Sequence, residues 1–175
     1  GGFDHLPDTR VYKNVSIDER RALWDELYDA PGFALLLANF RETFLEPRAN
    51  RDLSDYVAER IRARVSDPQL AEKLIPRDHG FGMRRMPMET GYFEAYNRDN
   101  VRLVSLLDTP IKRITKTGLQ TSEESFDFDL LIYATGFDVM TGAFDKIDIR
   151  GANGQRLKEK WQGSPTTYLG VMVNG

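Results

Sequence analysis

The chain has 175 residues, 41% hydrophobic and 29% charged, with a net charge of −3 and a sequence pI near 5.5. This is the composition of a globular protein holding one compact domain or parts of two, and its charge argues against a nucleic-acid or anionic-membrane partner. There is no cysteine and there are two histidines, His5 and His79. Disulfides, thiolate nucleophiles and iron–sulfur ligation are thereby excluded, a metal site is not expected, and any chemistry is expected to rest on a bound cofactor.

The chain opens helical. Ser16-Ile17-Asp18-Glu19 is a capping box, and Leu23, Trp24, Leu27 and Tyr28 follow at helical spacing until Pro31-Gly32. A second helix is predicted over Phe33–Leu45, closed by Pro47. A third follows from Leu53, Val57, Ile61 and Val65 on one face. A fourth starts at the Asp67-Pro68 cap and runs to about Leu74. Residues 77–99, rich in Gly, Pro, Met, Arg and Tyr, read as a long ordered loop with short helical turns, a type that is often functional. Strands are then predicted at Val101–Leu107, in a hairpin turning at Thr117-Gly118, at Phe126–Ala134, and briefly at Ile147–Ile149. No run approaches the roughly 20 apolar residues of a membrane span, and no export signal opens the sequence, so a cytoplasmic location is expected.

Two segments carry candidate chemistry. Asp129-Leu130-Leu131-Ile132-Tyr133-Ala134-Thr135-Gly136-Phe137-Asp138 reads as a segment with a strand covered on both faces that stops at a glycine. That arrangement lets a dinucleotide approach the backbone of Ala134, Thr135 and Gly136, and it equally describes a core strand with an ordinary turn. Arg84-Arg85 stands mid-loop among Phe81, Met83, Met86 and Met88. Adjacent guanidinium groups suit a phosphate or a developing anion, or else form a solvated surface pair. No Gly-x-Gly-x-x-Gly occurs. Gly80-Phe81-Gly82-Met83-Arg84-Arg85 lacks the third glycine and follows no strand, so these residues offer no pyrophosphate site.

Taken together, Phe81–Arg85, Thr90–Arg98, Asp127–Asp138, Thr141–Phe144, Ile147–Gly151, Glu159-Lys160-Trp161 and Thr167–Gly170 resemble class I Baeyer–Villiger monooxygenases, the group of cyclohexanone and phenylacetone monooxygenases. The resemblance implies an α/β fold: a helical insertion plus the distal half of a Rossmann-like NADPH domain with a β-meander, leading back into an FAD domain. Residues 1–76 would be the helical insertion, 77–136 the C-terminal half of the NADPH domain, and 137–175 the start of the returning FAD segment.

The implied activity uses FAD, NADPH and O2 to insert one oxygen atom into a ketone, giving an ester or lactone. Arg85 takes the position of the family arginine that steadies the anionic oxygen adducts. Arg84 stands where relatives usually carry a lysine for the NADPH 2′-phosphate. Ala134, Thr135 and Gly136 fall on the cofactor side. The family's glycine fingerprints and its Phe-x-Gly-x-x-x-His-x-x-x-Trp signature are absent, so this chain alone is expected to be inactive and to need the remainder of the FAD and NADPH domains. Two other readings are a flavin-containing monooxygenase oxidising sulfur or nitrogen, and a non-catalytic interaction module derived from such an enzyme.

Overall fold

A computed structural model describes residues 5–136, 141–170 and 172–173. The chain divides into two compact units: residues 1–112 with 121–123, and residues 113–120 with 124–175.

The first unit is built from helices. In α1 (Ile17–Asp29) the capping box forms as the sequence predicts: Ser16 Oγ accepts from Glu19 N–H, and the Glu19 carboxylate accepts from Ser16 N–H at 3.0 Å. The predicted second helix is corrected to two single turns, α2 (Ala34–Leu37) and α3 (Glu42–Leu45). The break is Asn39, buried to 2% exposure. Its Oδ1 accepts from Trp24 Nε1 at 3.1 Å and Phe40 N–H at 2.8 Å, and its Nδ2 donates to Leu35 O at 3.2 Å. A side chain that serves the buried indole and the next backbone amide competes with helical pairing.

Pro47 does not close a helix but opens one, α4 (Pro47–Arg64), as the first helical position allows. Ala49, Leu53, Tyr56, Ala58 and Ile61 bury one side of α4. Leu53 and Tyr56 pack with Trp24, Leu27, Leu35 and Phe40 in one core, while Ala58 and Ile61 pack with Val65, Ala71 and Ile75 in a second. The predicted fourth helix is α5 (Pro68–Leu74), capped by Asp67 Oδ1 through Gln69 N–H at 2.8 Å.

Beyond α5 the chain returns along α4 as a strap, residues 77–99, containing the single turn α6 (Tyr92–Ala95). At its far end Arg64 binds Glu89 at 2.7 Å and Glu94 at 2.5 Å, donates to Tyr28 Oη at 3.0 Å, and lies over the Phe93 ring. Asn97 adds two bonds of 2.8 Å, to Arg64 O and from Ser66 N–H. The predicted strand Val101–Leu107 is corrected to irregular chain and a turn, with Leu107 97% exposed. It finds no ladder partner among the described residues, and an unpaired strand is not stable in water.

The three-stranded meander β1 (Ile111–Ile114), β2 (Gly118–Thr121) and β3 (Ser125–Asp127) lies where the chain passes between units. Gly118 is needed there, because a Cβ would stand 1.8 Å from Phe126 O on β3. In the second unit β3 does not run on to Ala134 as predicted. Residues 128–136 have no regular secondary structure, and Leu130 and Ile132 are each 74% exposed. The reason is again the missing ladder: no described strand pairs with them. Phe137 and Asp138, the end of the candidate segment that starts at Asp129, lie outside the described residues.

The predicted strand Ile147–Ile149 is replaced by a bridge between Arg150 and Arg156, whose like charges share Asp148 at 3.0 and 3.3 Å. Trp161 on α8 (Leu157–Trp161) is buried edge-on against Phe144 of α7 (Gly142–Asp145). No described helix is long and apolar enough to cross a membrane.

The Arg64 cluster makes the strap's attachment pH-dependent. Hydrogen bonding to Arg64 holds the Glu94 carboxyl at about 2 and lowers that of Glu89 from the ordinary 4.5. Carboxyls depressed in the folded state stabilise above their unfolded value, and that stability is lost as pH falls from about 4.5 towards 2. The difference in urea midpoint between the parent and Arg64→Ala should therefore be largest above about pH 5 and shrink steadily between pH 5 and 3. A gap unchanged down to pH 3 would show that the ion pairs do not hold the strap.

Candidate functional site

The two adjacent arginines stand on the strap's middle, between its two attachments to α4. The attachment nearer to them is at Phe81. Its N–H donates to Ser54 Oγ at 2.9 Å, and its carbonyl accepts from Asn50 Nδ2 at 2.9 Å. The Asn50 amide also donates to Thr43 O at 2.8 Å, and Ser54 Oγ donates to Asn50 O at 2.7 Å. The Phe81 ring packs on the Trp24–Phe40 core.

The flanking glycines permit this approach. A Cβ on Gly80 would meet Asn50 Oδ1 at 1.8 Å. Gly82, at φ +72°, would put one 2.7 Å from Phe44 Cε1. A turn, Met83 N–H to Gly80 O at 3.2 Å, then delivers the chain to Arg84.

Arg84 and Arg85 both face solvent. Arg84, its side chain 67% exposed, pairs with Asp78 at 2.8 Å. Asp78 also binds His79 Nδ1 at 2.7 Å, and that bond, with Arg84's charge behind it, keeps the Asp78 carboxyl below its ordinary value. Arg85 makes no hydrogen bond or ion pair with any described residue. Residues 84–88 make no backbone hydrogen bond with a described residue either. The pair thus offers one lightly paired guanidinium and one unneutralised guanidinium on a segment fixed at both ends, chemistry suited to a phosphate or an anionic oxygen.

Ala134, Thr135 and Gly136 belong to the other unit. All three are exposed, and Gly136 turns the chain at φ +79° with nothing within 4 Å of a notional Cβ. That unit also has an open depression of about 480 Å³, with Phe144, Ile149, Leu157, Trp161 and Pro165 in its wall. Among the described residues its wall contains none of the predicted site residues and no titratable side chain. Among the described residues no group of three His, Asp or Glu side chains could hold a metal ion.

Asn50 and Ser54 were not singled out by the sequence pattern, although a signal was there. They sit on the helical repeat that leads to Val57 and Ile61, polar positions continuing an apolar stripe.

No protein-family model matches the chain. It is 49% identical, over 99% of its length, to the 2-oxo-Δ3-4,5,5-trimethylcyclopentenylacetyl-CoA monooxygenase of Pseudomonas putida, and 40% identical, again over 99%, to the acetone monooxygenase (methyl acetate-forming) of Gordonia sp. strain TY-5. Among solved structures it matches OTEMO in complex with FAD and NADP, with a TM-score of 0.91 at 48% identity over 99% of the chain. The chain spans about a third of the length of these relatives: 32%, 33% and 32% respectively. Over the third of the fold that it spans, this chain belongs to the Baeyer–Villiger-type monooxygenases.

Proposed function

We propose that the chain is part of an FAD- and NADPH-dependent monooxygenase that inserts one atom of O2 beside the carbonyl of a ketone. The ester or lactone forms with release of water and NADP+. The observation that carries this reading is Arg85, an exposed guanidinium with no counter-ion among the described residues, on a pinned strap. A relative that forms methyl acetate from acetone inserts oxygen between a carbonyl carbon and a methyl group, and such a step places negative charge on oxygen.

FAD and NADPH, when bound, supply the reducing equivalents that activate O2. The residues in hand fit the nicotinamide nucleotide. Arg84 offers a guanidinium whose one carboxylate partner, Asp78, is itself exposed and shared with His79, so it can turn to the 2′-phosphate. The open backbone at Ala134, Thr135 and Gly136 offers donors and acceptors along the dinucleotide. These residues do not fit the flavin pyrophosphate, since the 175 residues hold no glycine-rich turn at a helix start.

Arg85 would supply a fixed positive charge to an oxygen that becomes negative during the reaction, and its planar fork would hold that oxygen's direction. The same reading assigns residues 1–76 to a helical insertion, 77–136 to the distal half of a Rossmann-like NADPH domain and 137–175 to a returning FAD segment. The partners are then the rest of those two domains. The absence of cysteine, and so of disulfides, fits a cytoplasmic location.

Two substitutions in the complete enzyme test the assignment. Arg84→Ala should raise KM for NADPH about tenfold to hundredfold, as the loss of a charge-assisted hydrogen bond worth roughly 1.5–3 kcal/mol implies, and should leave KM for NADH nearly unchanged. Equal losses for both nucleotides would make Arg84 structural. Arg85→Ala should leave FAD content intact, nearly abolish ester formation and divert NADPH oxidation into hydrogen peroxide, with Arg85→Lys rescuing poorly. Ester formation within about tenfold of the parent would remove Arg85 from the mechanism, because that is only roughly 1.4 kcal/mol of transition-state stabilisation.

A further inference from the structure

An arginine pair is useful only if its backbone stands in one place, and residues 84–88 have no backbone hydrogen bond of their own to a described residue. Their placement must come from outside. On the C-terminal side the first fixed point is Glu89, held by Arg64 and accepting from Tyr92 N–H at 2.8 Å. On the N-terminal side it is Phe81, whose backbone N–H and C=O are both taken by side chains of α4.

We propose that Asn50 and Ser54 are positioning residues: a two-residue clamp, one helical turn apart, that fixes Phe81 and so sets where Arg84 and Arg85 stand. Three features separate this clamp from an incidental loop contact. It satisfies both polar groups of one peptide position, which fixes that residue's orientation as well as its distance. The clamp is preset, since the Asn50 amide is oriented by Thr43 O and the Ser54 hydroxyl by Asn50 O. It is also sterically closed, because Gly80 and Gly82 leave no room for a Cβ beside Asn50 and Phe44. Adjacent cations repel, and without a fixed point three residues upstream of Arg84 the pair would sample many positions. What the pair does for the cofactor rests on the function proposed above; the clamp itself does not.

The test uses the complete enzyme and four variants. Ser54→Ala removes the acceptor of Phe81 N–H, and Ser54→Thr keeps it. Asn50→Asp removes both amide donors at nearly constant shape. Gly80→Ala drives a Cβ into Asn50 while leaving both clamp residues unmutated. The first readout is amide hydrogen exchange at Phe81 and Met83, the hydrogen-bonded amides of the segment among the described residues, in the cofactor-free protein. Exchange should quicken about tenfold in Ser54→Ala, Asn50→Asp and Gly80→Ala and stay near the parent in Ser54→Thr. Parent-like exchange in the first three overturns the clamp, whatever the arginines do.

The second readout is the KM for NADPH and the share of NADPH oxidation that ends as hydrogen peroxide, at unchanged FAD content and melting temperature. Both should rise about threefold to tenfold in the three disrupting variants and not in Ser54→Thr. If Arg84→Ala and Arg85→Ala change these quantities and the clamp variants do not, the positioning role is overturned even with faster exchange. If the arginine variants are silent while exchange responds, the functional reading fails and the clamp stands.

Discussion

One side of α4 has to serve two purposes at once. Leu53, Tyr56 and Ile61 bury it in the cores, and Asn50, Ser54 and Arg64 on the same helix hold the strap. The helical repeat makes this possible, because positions three and four apart fall side by side. The two kinds of contact differ in strength. Truncating a buried leucine costs roughly 2–5 kcal/mol, whereas a neutral hydrogen bond contributes a net of about 0.5–1.5 kcal/mol. The apolar residues therefore decide that the unit folds, and the polar ones decide where the strap lies on it.

Where local chemistry alone determines an element, the sequence reveals it. The Ser16–Glu19 capping box, the Asp67-Pro68 helix start and the Thr117-Gly118 turn are each written in adjacent residues, and each forms. Where an element depends on distant chain, the pattern misleads. Val101–Leu107 and Leu130–Ala134 carry strand-like apolar runs, but a strand needs a ladder partner, and none of the described residues pairs with either. Phe33–Leu45 reads as one helix because no local rule reveals that Asn39 will take the Trp24 indole and break it. For the site, Arg84 and Arg85 stand out as a pair of like charges in a loop, while Asn50 and Ser54 do not. Their task is defined only by a peptide some thirty residues further along the chain.

The cations of the first unit fall into distinct electrostatic situations. Arg64 is held by two carboxylates and a tyrosine hydroxyl and lies over the Phe93 ring, and a cation so thoroughly matched has nothing left to offer a ligand. Arg84 has one exposed carboxylate, which is itself divided between the arginine and His79. Arg85 has none among the described residues. The order Arg64, Arg84, Arg85 is one of increasing availability. It parallels the roles proposed for them: an anchor, a contact to a permanently charged phosphate, and a partner for charge that exists only transiently. A group meant for transient charge cannot carry a built-in counter-ion, since the counter-ion would have to be displaced, at a cost, just when stabilisation is needed.

The strap reconciles this requirement with precision. A guanidinium with no ion-pair partner would ordinarily be a mobile surface group, because nothing enthalpic opposes its rotamer entropy. Fixing the backbone on both sides of the pair moves the restraint from the charged group to the peptide. Phe81 is held by Asn50 and Ser54, and Glu89 by Arg64, so the chain between them is tethered while Arg84 keeps one exposed carboxylate partner and Arg85 none among the described residues. Neither tether uses up the positive charge of Arg84 or Arg85. The upstream one is made entirely of neutral hydrogen bonds, which salt does not screen and carboxylate protonation does not release, whereas the downstream one is ionic. A clamp of uncharged groups next to the cations, with the ionic anchor kept at the far end, restrains the backbone without placing a carboxylate of the clamp against Arg85.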